Sequence, residues 1–316
     1  MTHERELGLG LQTDKPLAEY GPLAQVAEDA GFDVVTTFND LWFQPALPAL
    51  LEIARATKRV RVGPSCLNPF TLHPVEIAGQ IAMLDAATDG RAFLGLARGA
   101  WLESLAVDQS DSVTAVREAW QIVTRLLAGD ESSFAGERFA LPQGSRLRYE
   151  RRRTRVPLLV GTWSPNLAAF AGEAADEMKI GGSANPEIVP VMRDRIGNDD
   201  VRIVLGAVTV VDEDGERARS IARREVAMYL AVVAELDPTV SLDPDLLARV
   251  CSGDSSEIPD DVLDRFAFAG TPAQLVDHAE AVFAAGAGRI DFGTPHGLPE
   301  QHGVELLCNH VLPRLR

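Results

Sequence analysis

Lysine is nearly absent from this chain: Lys15, Lys58 and Lys179 are its only three, and arginine supplies the rest of the 30 basic residues. Acidic residues outnumber them, for a net charge of −16, which argues against a nucleic-acid partner, since a phosphate backbone needs a basic face. Cysteine is almost as scarce. Cys66, Cys251 and Cys308 are widely spaced, with no CxxC and no zinc spacing, so reduced thiols in a cytoplasm are expected. HxH, HExxH and clustered carboxylates are missing, so no metal is expected. No apolar run of about 18 residues escapes charge, so neither a membrane span nor a membrane partner is predicted. The charged start, Met1 to Glu6, does not look like a signal peptide. What remains is a soluble, cytoplasmic protein acting on a small molecule.

Hydrophobic residues make up 46% of the 316, enough for a sizeable core. Eight near-continuous apolar segments alternate with helical patterns: 7–11, 33–37, 59–62, 92–97, 157–161, 177–181, 201–208 and 289–293. Such alternation predicts parallel pairing. Eight units in about 300 residues predict an α/β fold, a single-domain (β/α)8 TIM barrel over residues 1–316. A doubly wound open sheet is the alternative. It wants a Gly-x-Gly-x-x-Gly turn after the first strand, where Leu9-Gly10-Leu11-Gln12-Thr13-Asp14 stands instead. Two segments exceed ordinary barrel loops, near 129–156 and 236–268, and are expected as insertions at the carboxyl-end face. A long helix is expected near 214–235.

Ligands of parallel sheets collect at the carboxyl ends of the strands, so the polar loops there hold the candidate residues. After strand two come Asn39, Asp40 and Trp42, candidate substrate contacts. Asp40 is either a carboxylate near the substrate or a helix N-cap; Trp42 either stacks on a planar ring or packs under its loop. Strand three runs into the turn Ser65 to Pro69, then His73-Pro74 opens a helix. His73 faces the pocket or caps that helix. After strand four, Gly99 permits close backbone approach. Arg98 either meets a ligand's negative charge or pairs with Glu103 or Asp40. Gly161-Thr162 and Gly181-Gly182 are turns leading into helices, whose free N–H groups suit an anion. His296, after strand eight, could face a substrate carboxylate. His3, His278, His302 and His310 read as surface residues.

Gly63-Pro64, Asn68-Pro69, Thr71, His73-Pro74, Leu84-Asp85, Asp89-Gly90-Arg91 and Gly95-Leu96 resemble the luciferase-like flavin and deazaflavin oxidoreductases. Phe134 to Phe139 and Ala269 to Pro272 extend the likeness over most of the chain. Within that group the chain is similar to the methylenetetrahydromethanopterin reductase branch, which uses coenzyme F420. The resemblance implies F420, or alternatively FMN in a monooxygenase, and a homodimer. It further implies a cis Ser65–Cys66 peptide behind the ring. Asn68, Arg98, Gly99 and Trp101 would lie about the cofactor, with its phosphate on Gly161, Thr162, Gly181 and Gly182. Hydride would pass between ring C5 and a small organic, possibly pterin-like, substrate, with Asp40 and Arg98 as the catalytic pair. Many relatives carry Asp-His after strand two. Here Leu41 follows Asp40, which removes that proton donor and leaves a non-catalytic cofactor-binding homologue as a further alternative.

Overall fold

The computed structural model describes residues 5–316. Its strands are β1 (Glu6–Leu11), β2 (Val34–Thr37), β3 (Arg61–Pro64), β4 (Leu94–Ala97), β5 (Phe134–Ala135), β6 (Ala140–Leu141), β7 (Leu158–Gly161), β8 (Glu177–Gly181), β9 (Arg202–Val211), β10 (Ala267–Gly270) and β11 (Arg289–His296). The main sheet runs β3-β2-β1-β11-β9-β8-β7-β4, with β10 against the far end of β9. All its ladders are parallel. Bridges Val62↔Ala92 and Leu67↔Leu96 join β3 to β4 and close the ring. The eight expected segments are the eight barrel strands, and no open-sheet edge of a doubly wound fold is formed.

Side chains alternate across each strand, and the two faces carry different chemistry. Outward residues such as Leu7, Leu9, Val62, Leu94, Val160 and Ile203 join the main apolar core under the helices. The inward apolar residues form a much smaller cluster of Val34, Phe93, Leu159 and Val204, with Cys66 packed against it. Most of the rest of the interior is glycine and charge, with Thr36 and Phe38 beside them.

Four details depart from the sequence reading. β9 continues to Val211 and β11 to His296. The short strand β10 was hidden among the Asp/Pro/Ser-rich residues before Thr271. The expected long helix is two, Gly215–Ala227 and Leu230–Leu236, interrupted at Met228 and Tyr229. His278 is half-buried, tilted on Phe268 at 4.8 Å, with Nε2 2.9 Å from the Ala184 carbonyl oxygen. It flanks the buried stripe Leu275, Val276, Ala279 and Val282 of its helix, and so packs inward. His3 lies outside the described residues.

The two insertions differ. Between β9 and the helix Pro272–Ala284, the chain builds its own apolar core from Ile221, Val226, Leu230, Val250, Leu263 and Phe266, among others. This body starts near 212, well before the expected 236. The 129–156 segment lies along the outside of the helices Pro74–Ala87 and Ser112–Ala128. The buried Glu118 carboxylate accepts the amides of Glu137, Arg138 and Phe139 at 2.6–3.0 Å, which fixes the β5–β6 hairpin. Arg153 donates to the buried Asp85 and to the Ala92 carbonyl. Only the tip reaches the rim, where Phe139 meets the His73 ring edge-on at 5.5 Å.

Candidate active site

The Ser65–Cys66 peptide is cis, as the sequence motif implies. The Cys66 sulfur is held between two glycines. A Cβ on Gly95 would lie 3.1 Å from it, and one on Gly161 2.8 Å. Burial pushes the Cys66 thiol up to about 11, against the pull of the Lys179 charge, so it is a packing surface rather than a nucleophile. Asn68 is buried behind this bulge. Its Oδ1 accepts from the amides of Phe70 and Thr71 and from the Thr71 hydroxyl, so it fixes the turn. His73 accepts from the Val75 amide with Nδ1, which is the capping role.

At the end of β2, Asn39 Oδ1 accepts from the Ala46 amide at 3.2 Å and starts the helix Ala46–Ala56. Asp40 caps nothing. Its Oδ2 accepts from Gln12 Nε2 at 3.1 Å. Burial raises its carboxyl above the usual range, against the Gln12 hydrogen bond and the Lys179 charge. Trp42 is 78% exposed at φ +71°, so it packs under nothing.

Beyond β4, Gly99 takes φ +85°, a conformation glycine adopts freely. A Cβ there would press on Asn68 at 3.0 Å. Arg98 is exposed. Only its backbone carbonyl is engaged, by Gln109 Nε2, and no ion pair forms to Glu103 or Asp40. Trp101 is exposed, also with positive φ.

The two glycine turns are unequal. After β7, Thr162 Oγ1 accepts the Ser164 amide, and no side chain caps the helix Pro165–Ala174. Its first-turn amides therefore remain for an outside acceptor. After β8, the amides of Gly182 and Ser183 both go to the Gly206 carbonyl. Val233 and Tyr229 stand against Gly182, at 3.0 and 3.4 Å from a Cβ placed there. The insertion walls off this turn, so Gly182 does not offer the free amide expected of it; Gly181 is exposed beside it. His296 also departs from expectation. It is fully buried, with Nδ1 3.1 Å from Glu300 and Nε2 3.1 Å from the Phe292 carbonyl oxygen, so it organises the loop after β11 instead of facing a substrate.

The sequence reading missed Gln12, Phe38 and Lys179. Lys179 points inward from β8, with its ammonium 2.8 Å from Asp291 and 5.6 Å from the Phe38 ring centre. A lone charge inside Met178-Lys179-Ile180 was the available signal.

The mouth thus combines a flat bulge backed by glycine, a carboxyl with a raised proton affinity, an unpartnered arginine and an uncapped helix start. Comparison with known proteins gives the family. The family model for luciferase-like monooxygenases matches residues 2–289. A 5,10-methylenetetrahydromethanopterin reductase from Archaeoglobus fulgidus is 25% identical, over 98% of this chain and all of its own. An F420-dependent glucose-6-phosphate dehydrogenase from Microbacterium testaceum is 26% identical, over 95% of this chain and 93% of its own. The fold of a coenzyme F420-dependent tetrahydromethanopterin reductase from Methanopyrus kandleri superposes with a TM-score of 0.89, at 23% identity, over 99% of this chain and 100% of that one. A closed barrel with a cis bulge after its third strand, matched along nearly all its length, belongs to the luciferase-like monooxygenase family.

Proposed function

We propose that this protein is a coenzyme F420-dependent oxidoreductase that moves hydride between the deazaflavin and a small organic substrate. The single observation that carries the reading is the similarity, along nearly the whole chain, to F420-dependent reductases and dehydrogenases. The residues fit such a group. The bulge, Gly161 and Gly99 would hold its planar ring. An anionic tail suits the uncapped start of the helix Pro165–Ala174.

When bound, the deazaflavin supplies the hydride chemistry; the protein supplies position and electrostatics. The bulge and Gly99 orient the ring face. Arg98, without a side-chain partner among the described residues, would hold negative charge at the rim. Asp40, whose proton affinity burial raises, would exchange a proton at its carboxyl, with Gln12 fixing the oxygen it bonds. That arrangement offers a proton donor where Leu41 replaces a histidine. Trp42 and Trp101 present apolar faces to the second substrate, and pterin-like compounds are the first to try.

The family's name keeps one second reading in play, an FMN-dependent monooxygenase. Titrating the purified protein with F420 and with FMN separates the two. F420 binding, followed by acceptor-dependent bleaching or recovery of its absorbance, is the expected result. Tight FMN binding without F420 binding transfers the protein to the monooxygenases, and F420 binding without turnover over a broad acceptor panel makes it a carrier. Sedimentation checks the homodimer that the resemblance implies.

A further inference from the structure

The barrel interior contains a continuous chain of charges. Lys179 Nζ bonds Asp291 at 2.8 Å, and Asp291 bonds Arg289 Nε at 2.9 Å. Arg289 Nη1 bonds Glu177 at 2.6 Å, and Glu177 bonds Arg61 at 2.8 Å and Arg202 at 3.2 Å. Glu6 completes the foot of the column, against Arg61 and Arg202. Asp291 and Arg289 are at most 1% exposed, and Lys179 is 5% exposed. Such groups are costly to bury, and apolar residues of similar volume are often at least as stable. Here the sequence makes room for them. A Cβ on Gly8 would lie 2.0 Å from Asp291, and one on Gly206 2.6 Å from the Lys179 chain.

The column also has a direction. Its foot is at the amino ends of the strands, and its last member, Lys179, lies level with the mouth. Gly161, against which the Cys66 sulfur packs, is the register partner of Lys179. Both Cys66 and Asp40 feel the lysine's charge. Counted along its length, the column holds four cations (Lys179, Arg289, Arg61, Arg202) against three anions (Asp291, Glu177, Glu6). Its buried members balance, the half-buried foot of Arg61, Arg202 and Glu6 supplies the surplus, and its cationic end, Lys179, lies toward the bulge.

We infer that this column is an electrostatic floor, through which Lys179, positioned by Asp291, favours negative charge on whatever ring rests on the Ser65–Cys66 bulge. Lys179 touches no reacting atom in this account. It acts through a short distance in a low-dielectric interior, where one charge is felt strongly. With a deazaflavin, hydride addition makes the ring more electron-rich, so the reduced form gains most. This cofactor arm rests on the function proposed above; the effect on the thiol does not.

The test uses four proteins: the parent, Lys179→Met, Asp291→Asn and the double variant, each in a Cys251→Ser background. First, the alkylation rate of Cys66 by iodoacetamide is followed against pH in cofactor-free protein, with the site read by mass spectrometry. Lys179→Met should slow it on the order of tenfold at fixed pH, and Asp291→Asn should accelerate it, because they change the floor's charge in opposite senses. Second, the ratio of F420 dissociation constants, reduced over oxidised, should rise on the order of tenfold in Lys179→Met and fall in Asp291→Asn. The double variant restores the net charge and should return both readings toward the parent. If either single variant does not fold, the other and the double still carry the sign. A column that is merely structural would lower thermal stability in both single variants and move thiol and ratio in the same direction or not at all, which overturns the inference. Opposite thiol shifts in a protein that binds no F420 would keep the floor and reject the deazaflavin reading instead.

Discussion

Gly8 on β1 and Asp291 on β11 are register partners, and the carboxylate of one fills the space where a side chain of the other would stand. A methyl group at residue 8 would sit 2.0 Å from Asp291 Oδ1. The carboxylate cannot swing away, because Lys179 and Arg289 both hold it. Gly8→Ala should therefore cost about 3 kcal/mol, the upper part of the range for overpacking. Urea unfolding measures this. A loss under about 0.5 kcal/mol, the level of an ordinary surface change, would show that the interior yields.

Glu177 governs acid stability. Burial alone would raise its carboxyl, but Arg289, Arg61 and Arg202 outweigh it and hold it down to about 2. The folded value is depressed, so its contribution is complete above the ordinary carboxylate range near 4.5 and is lost as pH falls from there through about 2. The urea midpoint should fall over that window. Glu177→Gln should flatten the fall and, by leaving Arg289 short of a partner, cost roughly 3–5 kcal/mol at neutral pH. An unchanged slope in the variant would assign acid sensitivity elsewhere.

Asp40 has the opposite sign. Burial raises its folded value, so it favours the folded state while protonated, below pH 3.8, and that advantage is lost as pH rises through the folded value. Asp40→Asn should melt higher than the parent at neutral pH and at about the same temperature near pH 3. Turnover should fall, and the decline of turnover as pH rises through the Asp40 folded value should be lost from the pH profile. A variant that melts lower at pH 7 would mean that the Gln12 bond outweighs burial.

Arg98→Ala should leave the melting temperature unchanged, since the exposed guanidinium has no partner among the described residues. It should lower turnover on the order of 10²-fold while weakening oxidised cofactor binding much less, because the charge it meets develops during reduction. Arg98→Lys should recover only part, a point charge replacing a fork. Full turnover in the alanine variant removes Arg98 from the site.

The barrel was legible because its strands are short, near-continuous apolar runs punctuated by glycine, as in Leu7 to Leu11 or Leu158 to Gly161. The bulge was legible because Gly63-Pro64 and Asn68-Pro69 bracket it. Less visible was anything decided by distant packing. Val233 and Tyr229 close off Gly182 from some 50 positions away, and Phe292 and Glu300 take both nitrogens of His296. Asn39 was a candidate by its place after strand two and Asn68 by the resemblance; the side-chain oxygens of both accept local backbone amides. The charge column is inscribed in the sequence as Glu177, Lys179, Arg289 and Asp291, each two apart on its strand. Reading it requires knowing that the two strands flank β9, which local pattern does not supply.

The insertion between β9 and the helix Pro272–Ala284 keeps its own apolar core, apart from the one under the barrel helices. Its helices are short, and Met228 and Val232 lie exposed on it. Amides in 215–266 should exchange with solvent through openings far cheaper than global unfolding, while those of β1 and β11 exchange only with it. Heat or mild denaturant would then strip the wall from Gly182 first, leaving a closed barrel whose bulge and charge column are intact but whose mouth is wider.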